Sequence, residues 1–168
     1  QELLHQGTIT ATGDGIVIRG DVRGAGNFPG LAKIVITGTY QPGNSPAIVE
    51  FGGDLSLGSN AHVVMEIEGP EPGSGHDQLK IAGELTVGGT LEIDLADHYS
   101  PAAGQSFQIL EFGSLSGRFS QVLYSGSALA TNLEWNDSQL YTHGVISVVS
   151  TLDTLPPVIT LNGATTLT

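Results

Sequence analysis

Apolar and polar residues alternate along this chain with a period of two. In HVVMEIEG, Val63, Met65 and Ile67 share one side while Val64, Glu66 and Glu68 share the other; in TLEIDLAD, Leu91, Ile93 and Leu95 oppose Glu92 and Asp94. Successive side chains of an extended strand point to opposite faces, so each stretch predicts a strand with a buried face and an acid-bearing one. Apolar residues nowhere recur at i, i+3, i+4 and i+7 over three turns, and no helix is expected. Other short strands are expected in GTITAT from Gly7, GIVIRG from Gly15, AKIVITG from Ala32, AIVEFGG from Ala47, DQLKIAG from Asp77, SFQILEF from Ser106 and QLYTHGVISVVS from Gln139. Gly, Asn or Pro-Gly separates nearly all of them. The expected fold class is all-β.

An internal echo refines this. GGDLSLG (Gly52 to Gly58) returns as AGELTVG (Ala82 to Gly88), and each copy is followed by one of the two alternating strands. A unit this short cannot bury its apolar face alone, whereas stacked copies can, which predicts a parallel β-solenoid. A β-sandwich or jelly roll is the alternative. Residues 1–150 then form one repeat-type domain, and 151–168 a hinge with an extended strand. In TLDTLPPVITLNGATTLT, Asp153 and Thr154 supply the hinge and Pro156 and Pro157 force an extended exit. Beyond them Val158, Thr160 and Asn162 alternate with Ile159 and Leu161. Such a strand suits the open sheet edge of a neighbouring copy, and the expectation is a head-to-tail fibre or filament built by residues 158–168; the alternative is that the strand begins an attached Ig-like domain.

Composition narrows the partners. The 168 residues suffice for one domain with a sizeable core, and 24 glycines imply frequent turns. The net charge is −12, with Arg19, Arg23, Lys33, Lys80 and Arg118 as the basic residues. Nucleic acids and anionic membrane surfaces would be repelled. No apolar run approaches the roughly 20 residues that span a bilayer. An acidic, lysine-poor chain without cysteine suits a secreted protein, so an extracellular or cell-surface location is expected, although absent cysteine also fits the cytosol. QELLHQGTIT lacks the basic region and apolar stretch of a signal peptide, as expected of a processed or excised chain.

Candidate chemistry is sparse. Glu66, Glu68, Glu92 and Asp94 would gather if the echoed strands stack in register. Paired carboxylates can hydrolyse glycosides, and an acid cluster can take calcium, but a solvated strand face is the reading favoured here. Mutual repulsion makes calcium the stronger of the two chemical options. Asp14 and Asp21, and Glu134, Asn136 and Asp137, read as turn residues. His5, His62, His76, His98 and His143 have no zinc-ligand spacing. No G-x-S-x-G elbow is present, and RGDVRGAGNFPG (Arg19 to Gly30) lacks the lysine of a phosphate loop and reads as a long turn. Its Arg19-Gly20-Asp21 tripeptide is a weak adhesion signal. Trp135, Tyr40, Tyr99, Tyr124 and Tyr141 are the aromatics a glycan would stack on, and alternating strands place most of them in packing positions.

The run GTYQPGNSPAIVEFGGDLSLG resembles the PGNSPG and GDLTLG units of autotransporter-type β-strand repeats. From GHDQLKIAGELTVGG through PAAGQSF and GSLSGRF to SQLYTHGVISV, the chain resembles the C-terminal module of large secreted bacterial proteins, often ones with a PEP-CTERM sorting tail. The likeness covers residues 38–149. His76 departs from it, standing where an aromatic usually precedes DQL, and DTLPPVITLNG resembles the first strand of a bacterial Ig-like domain. The resemblance implies a β-helix-like stack in a surface or matrix protein and no reaction. The expected function is a non-catalytic structural or assembly module that contacts copies of itself, with a carbohydrate-binding or adhesive module and a glycan-degrading fragment as alternatives. No cofactor is expected.

Overall fold

The structure, a computed structural model, describes residues 2–4, 15–43 and 46–152. Its strands are β1 (Glu2–Leu4), β2 (Ile16–Ile18), β3 (Asp21–Gly24), β4 (Ile34–Ile36), β5 (Thr39–Pro42), β6 (Ile48–Phe51), β7 (Leu55–Leu57) and β8 (His62–Ile67). They continue with β9 (Gln78–Val87), β10 (Thr90–Leu95), β11 (Ser106–Gln108), β12 (Leu110–Gly117), β13 (Gln121–Gly126), β14 (Leu133–Asn136) and β15 (Val145–Ser150). The described residues are all-β apart from one helical turn, α1 (Leu140–His143).

Two parallel sheets dominate. One runs β1-β3-β5-β8-β10-β13; the other runs β12-β9-β7-β4-β2, with β6 also paired to β9. The chain crosses from the second sheet to the first and back, so β2 and β3 are followed by β4 and β5, stacked beside them in parallel. Like positions fall into register: Ile34, Leu55, Leu85 and Leu115 form one column, and Tyr40, Val63, Leu91 and Val122 another. The second half of β9 and its successor in β12 occupy the same place as β7. The first half of β9 pairs with β6 instead, so β9 changes partner near Gly83.

That corner explains the glycine of the echoed motif. A β-carbon on Gly83 would lie 3.0 Å from the Gly53 carbonyl oxygen and closer still to Asp54 Oδ1, so the chain takes that corner only without a side chain. The acid of the motif is a tie between layers: Asp54 Oδ1 accepts a 2.8 Å hydrogen bond from the Glu84 amide, 30 residues on. Ser116 donates its hydroxyl to Thr86 at 3.2 Å, again 30 residues apart.

The inward faces make one core. Val63, Met65, Ile67, Leu91, Ile93 and Leu95 are all buried, as the alternation predicts. Full burial of such a side chain is worth about 1.5–3 kcal/mol, which fixes the register, because a one-residue slip would expose the whole column. Phe28 stacks on Phe51 at 4.6 Å, extending the core under β6.

Several expectations need correction. Val64 lies on the outer face yet is only 8% exposed, because it sits in the middle of a six-stranded sheet opposite the longer Glu92. QLYTHGVISVVS is not one strand: Leu140–His143 form a helical turn that Gly144 ends at φ 69°, and the strand begins at Val145. Arg19 to Gly30 is not simply a turn, since Asp21–Gly24 form β3. Residues 133–136 likewise form a strand, β14, rather than a turn. The third, antiparallel sheet, β11-β15-β14, lies at the β12 and β13 end of the stack. GTITAT from Gly7 lies outside the described residues.

Candidate functional site

Three places hold polar or aromatic groups in unusual settings: the acidic outer face of β8 and β10, a buried node at Asp77, and the edge of β13. On the outer face, register sets Asp94 beside Glu66 and Glu92 beside Val64. Glu92 instead meets His62 Nε2 at 2.6 Å. Partial burial, then Glu68 and Asp94, raise the Glu66 pKa, against an opposing pull from Arg23. Glu66, Glu68 and Asp94 thus influence one another, and Glu92 is engaged elsewhere. Among the described residues no three acid or histidine side chains converge as metal ligands.

At the node, Asp77 is buried and its two carboxyl oxygens accept 2.8 Å hydrogen bonds from the Ala47 and Glu66 amides. Burial pushes its pKa up to about 8, overcoming the two amide bonds that favour the carboxylate; Glu66 and Glu68 add to the rise. Gln78 Nε2 donates to the Gln108 carbonyl at 3.0 Å, and Leu79 enters the core. The DQL run therefore stitches three layers together. His76 packs edge-on against Phe107 at 5.5 Å, filling the place of an aromatic. Burial lowers its pKa; the Gly69 and Gln108 carbonyls pull the other way, although Nε2 makes no hydrogen bond. The buried Tyr40 hydroxyl is also without a partner, and burial followed by the Asp77 charge raises its pKa. Sequence reasoning met Asp77 only as the first residue of the DQL run and gave it no role of its own.

The edge of β13 differs from both. β13 pairs with β10 alone, and its other edge has no strand beside it among the described residues. Register places Val122 over Leu91 and Tyr124 over Ile93, yet Leu91 and Ile93 are 0% exposed while Tyr124 is 40% exposed. The Tyr124 ring stacks on Trp135 of β14, centroids 5.5 Å apart and planes within 6°. Between β13 and β14 lies a cleft of ≈ 530 Å³, walled by these rings with Ser125, Leu129, Leu133 and Glu134. Burial, then Asp137 and Tyr141, push the Tyr124 pKa up to about 12, so the phenol stays neutral.

No family model, curated protein or solved structure matches the chain. The site therefore stands on its own geometry.

The neighbouring edge of the other sheet is met at the start of β12. The Ile109 and Leu110 amides both donate to the Gly144 carbonyl, at 2.9 and 3.0 Å, and α1 packs against β12. Arg118 lies 4.3 Å over the Tyr141 ring. Of the expected turn residues, Asn136 Oδ1 accepts from the Ser138 amide at 2.9 Å. The predicted assembly strand (Val158, Ile159, Thr160, Leu161, Asn162), its hinge (Asp153, Pro156, Pro157) and Asp14 lie outside the described residues.

Proposed function

We propose that the chain is a β-solenoid module of an extracellular structural protein, and that its role is assembly through its C-terminal segment. The observation that carries this reading is the stacking itself: parallel layers in register, with Asp54, Thr86 and Asp77 tying each layer to the next. Parallel pairing throughout both large sheets favours a solenoid over a sandwich, whose sheets are antiparallel. A stack of this kind is extended by adding strands at its ends, where backbone donors and acceptors remain to be paired. Inside it, the Asp77 and Gln78 side chains bond backbone groups of neighbouring layers. The high negative charge keeps such a surface soluble and repels polyanions.

Light scattering and negative-stain images of the full chain and of a variant lacking Thr154 to Thr168 test this. The full chain is expected to associate, and the shortened one to remain a folded monomer. Association that survives the deletion contradicts the reading, as does a full chain that stays monomeric at every concentration.

A further inference from the structure

We propose that the open edge of β13 is the acceptor for Val158–Asn162 of a second copy, and that the exchange is reciprocal, joining two copies about a two-fold axis. This rests on the assembly reading and names its surface.

The edge has the required chemistry. In a parallel ladder successive amides point to opposite sides. The Ser127 amide bonds the Leu95 carbonyl at 2.8 Å, so those of Ser125 and Leu123 face β10 and those of Tyr124 and Val122 face the open side. Among the described residues no backbone group pairs with that row, whereas the corresponding row of β10 is paired by β13. The side chains are equally incomplete: the core columns end on a half-buried Val122 and on Tyr124, which stays 40% exposed although its ring stacks on Trp135. A strand alternating apolar side chains would close both deficits, and the cleft beside Tyr124 has room for them.

The position of the chain exit selects the occupant and its symmetry. The Thr151 amide bonds the Asn132 carbonyl at 2.8 Å, and Ser150 pairs with Leu133, which lines the cleft. The chain thus departs beside the acceptor, at the same end of the stack. The sequence beyond offers Val158, Ile159 and Leu161 behind Pro156-Pro157, and each proline biases the residue before it toward extended backbone. Donor and acceptor at one end make a self-complementary interface, which closes as a pair; an open filament needs them at opposite ends.

Sedimentation of the full chain, of the variant lacking Thr154 to Thr168, and of Val122→Pro is the test. Proline is tolerated on an outer edge, where it removes the outward amide without disturbing the pairing behind it. The full chain should dimerise, the deletion should be monomeric, and Val122→Pro should weaken dimerisation roughly tenfold or more. A dimer lost on deletion but unaffected by Val122→Pro overturns the acceptor while leaving the assembly reading intact. A monomeric full chain overturns both, and filaments overturn the two-fold exchange.

Should Val122→Pro fail to fold, the absence of cysteine allows a second measurement. A tagged Leu123→Cys chain mixed with an untagged Thr160→Cys chain should give a disulfide heterodimer, and Glu84→Cys in place of Leu123→Cys should not. Equal yields contradict the proposal, as does a ring-closed monomer from the double variant. A β-linked glucan hexasaccharide whose binding survives the deletion but not Tyr124→Ala would assign the cleft to a glycan and overturn it too.

Discussion

Strands β10 and β13 are neighbours in one sheet, share a register and present the same columns to the core, yet they end differently. Ile93 of β10 is covered on both sides and wholly buried; Tyr124, one layer on, has β10 behind it and stacks on Trp135, yet stays 40% exposed. The difference is one of position: β10 lies between β8 and β13, whereas β13 is the last strand of its sheet among the described residues. A stack built this way stores its incomplete interactions at its ends. Chemistry at the end of this one is backbone hydrogen bonding and apolar contact, which another strand can satisfy.

Substitutions sharpen the contrast. Ile93→Ala opens a cavity where all neighbours are fixed and should cost about 2–5 kcal/mol in urea unfolding. The same experiment on Tyr124→Ala in the chain lacking Thr154 to Thr168 should cost about 1 kcal/mol, because a ring already exposed loses little burial and one stacking partner. Equal costs at the two positions would mean that β13 is as enclosed as β10.

Between these extremes lies Asp77, which acts within the enclosed layers. Asp77→Asn keeps one acceptor but points a donor at the second amide, so it should cost about 1–3 kcal/mol. It should also change the pH response. The folded-state pKa of Asp77 is raised to about 8 from an ordinary value near 4, so the folded state binds the extra proton within that window. Stability from this group is therefore full below about pH 4 and falls as pH rises through about 8. Urea midpoints at pH 5, 7 and 9 should decline in the parent chain and decline less in Asp77→Asn; parallel declines would remove Asp77 as the cause.

The smallest effect belongs to the outer face of the same strands. His62 and Glu92 meet at 2.6 Å, but both are partly exposed, so Glu92→Gln should change stability by less than about 1 kcal/mol, with the effect shrinking in salt. A larger loss would show that the acidic face is structural rather than solvated.

Much of the enclosed region was legible in the sequence. Alternation at Val63 to Ile67 and Leu91 to Leu95 gave both strands and their buried faces, because a two-sided environment imposes a binary pattern. The echo of GGDLSLG in AGELTVG marked the strands β7 and β9 that pair in parallel, and a third copy, FGSLSG at Phe112 to Gly117, went unread because serine replaces the acid of the motif. β13 was missed for a related reason: an incomplete layer tolerates an exposed Leu123 and a tyrosine at an inward position, so QVLYSG carries no clean alternation. The acid cluster expected on the outer face formed only in part, since register put Glu92 opposite Val64. Asp77 could not be placed by pattern, because its partners, the amides of Ala47 and Glu66, are set by tertiary contacts.

Amide hydrogen exchange at Val122 and Tyr124 tests the central claim most directly. At concentrations where the full chain associates, both amides should be protected in the full chain and should exchange rapidly in the chain lacking Thr154 to Thr168, while the Leu91 and Ile93 amides stay protected in both. Equal exchange of Val122 and Tyr124 in the two chains would contradict the account.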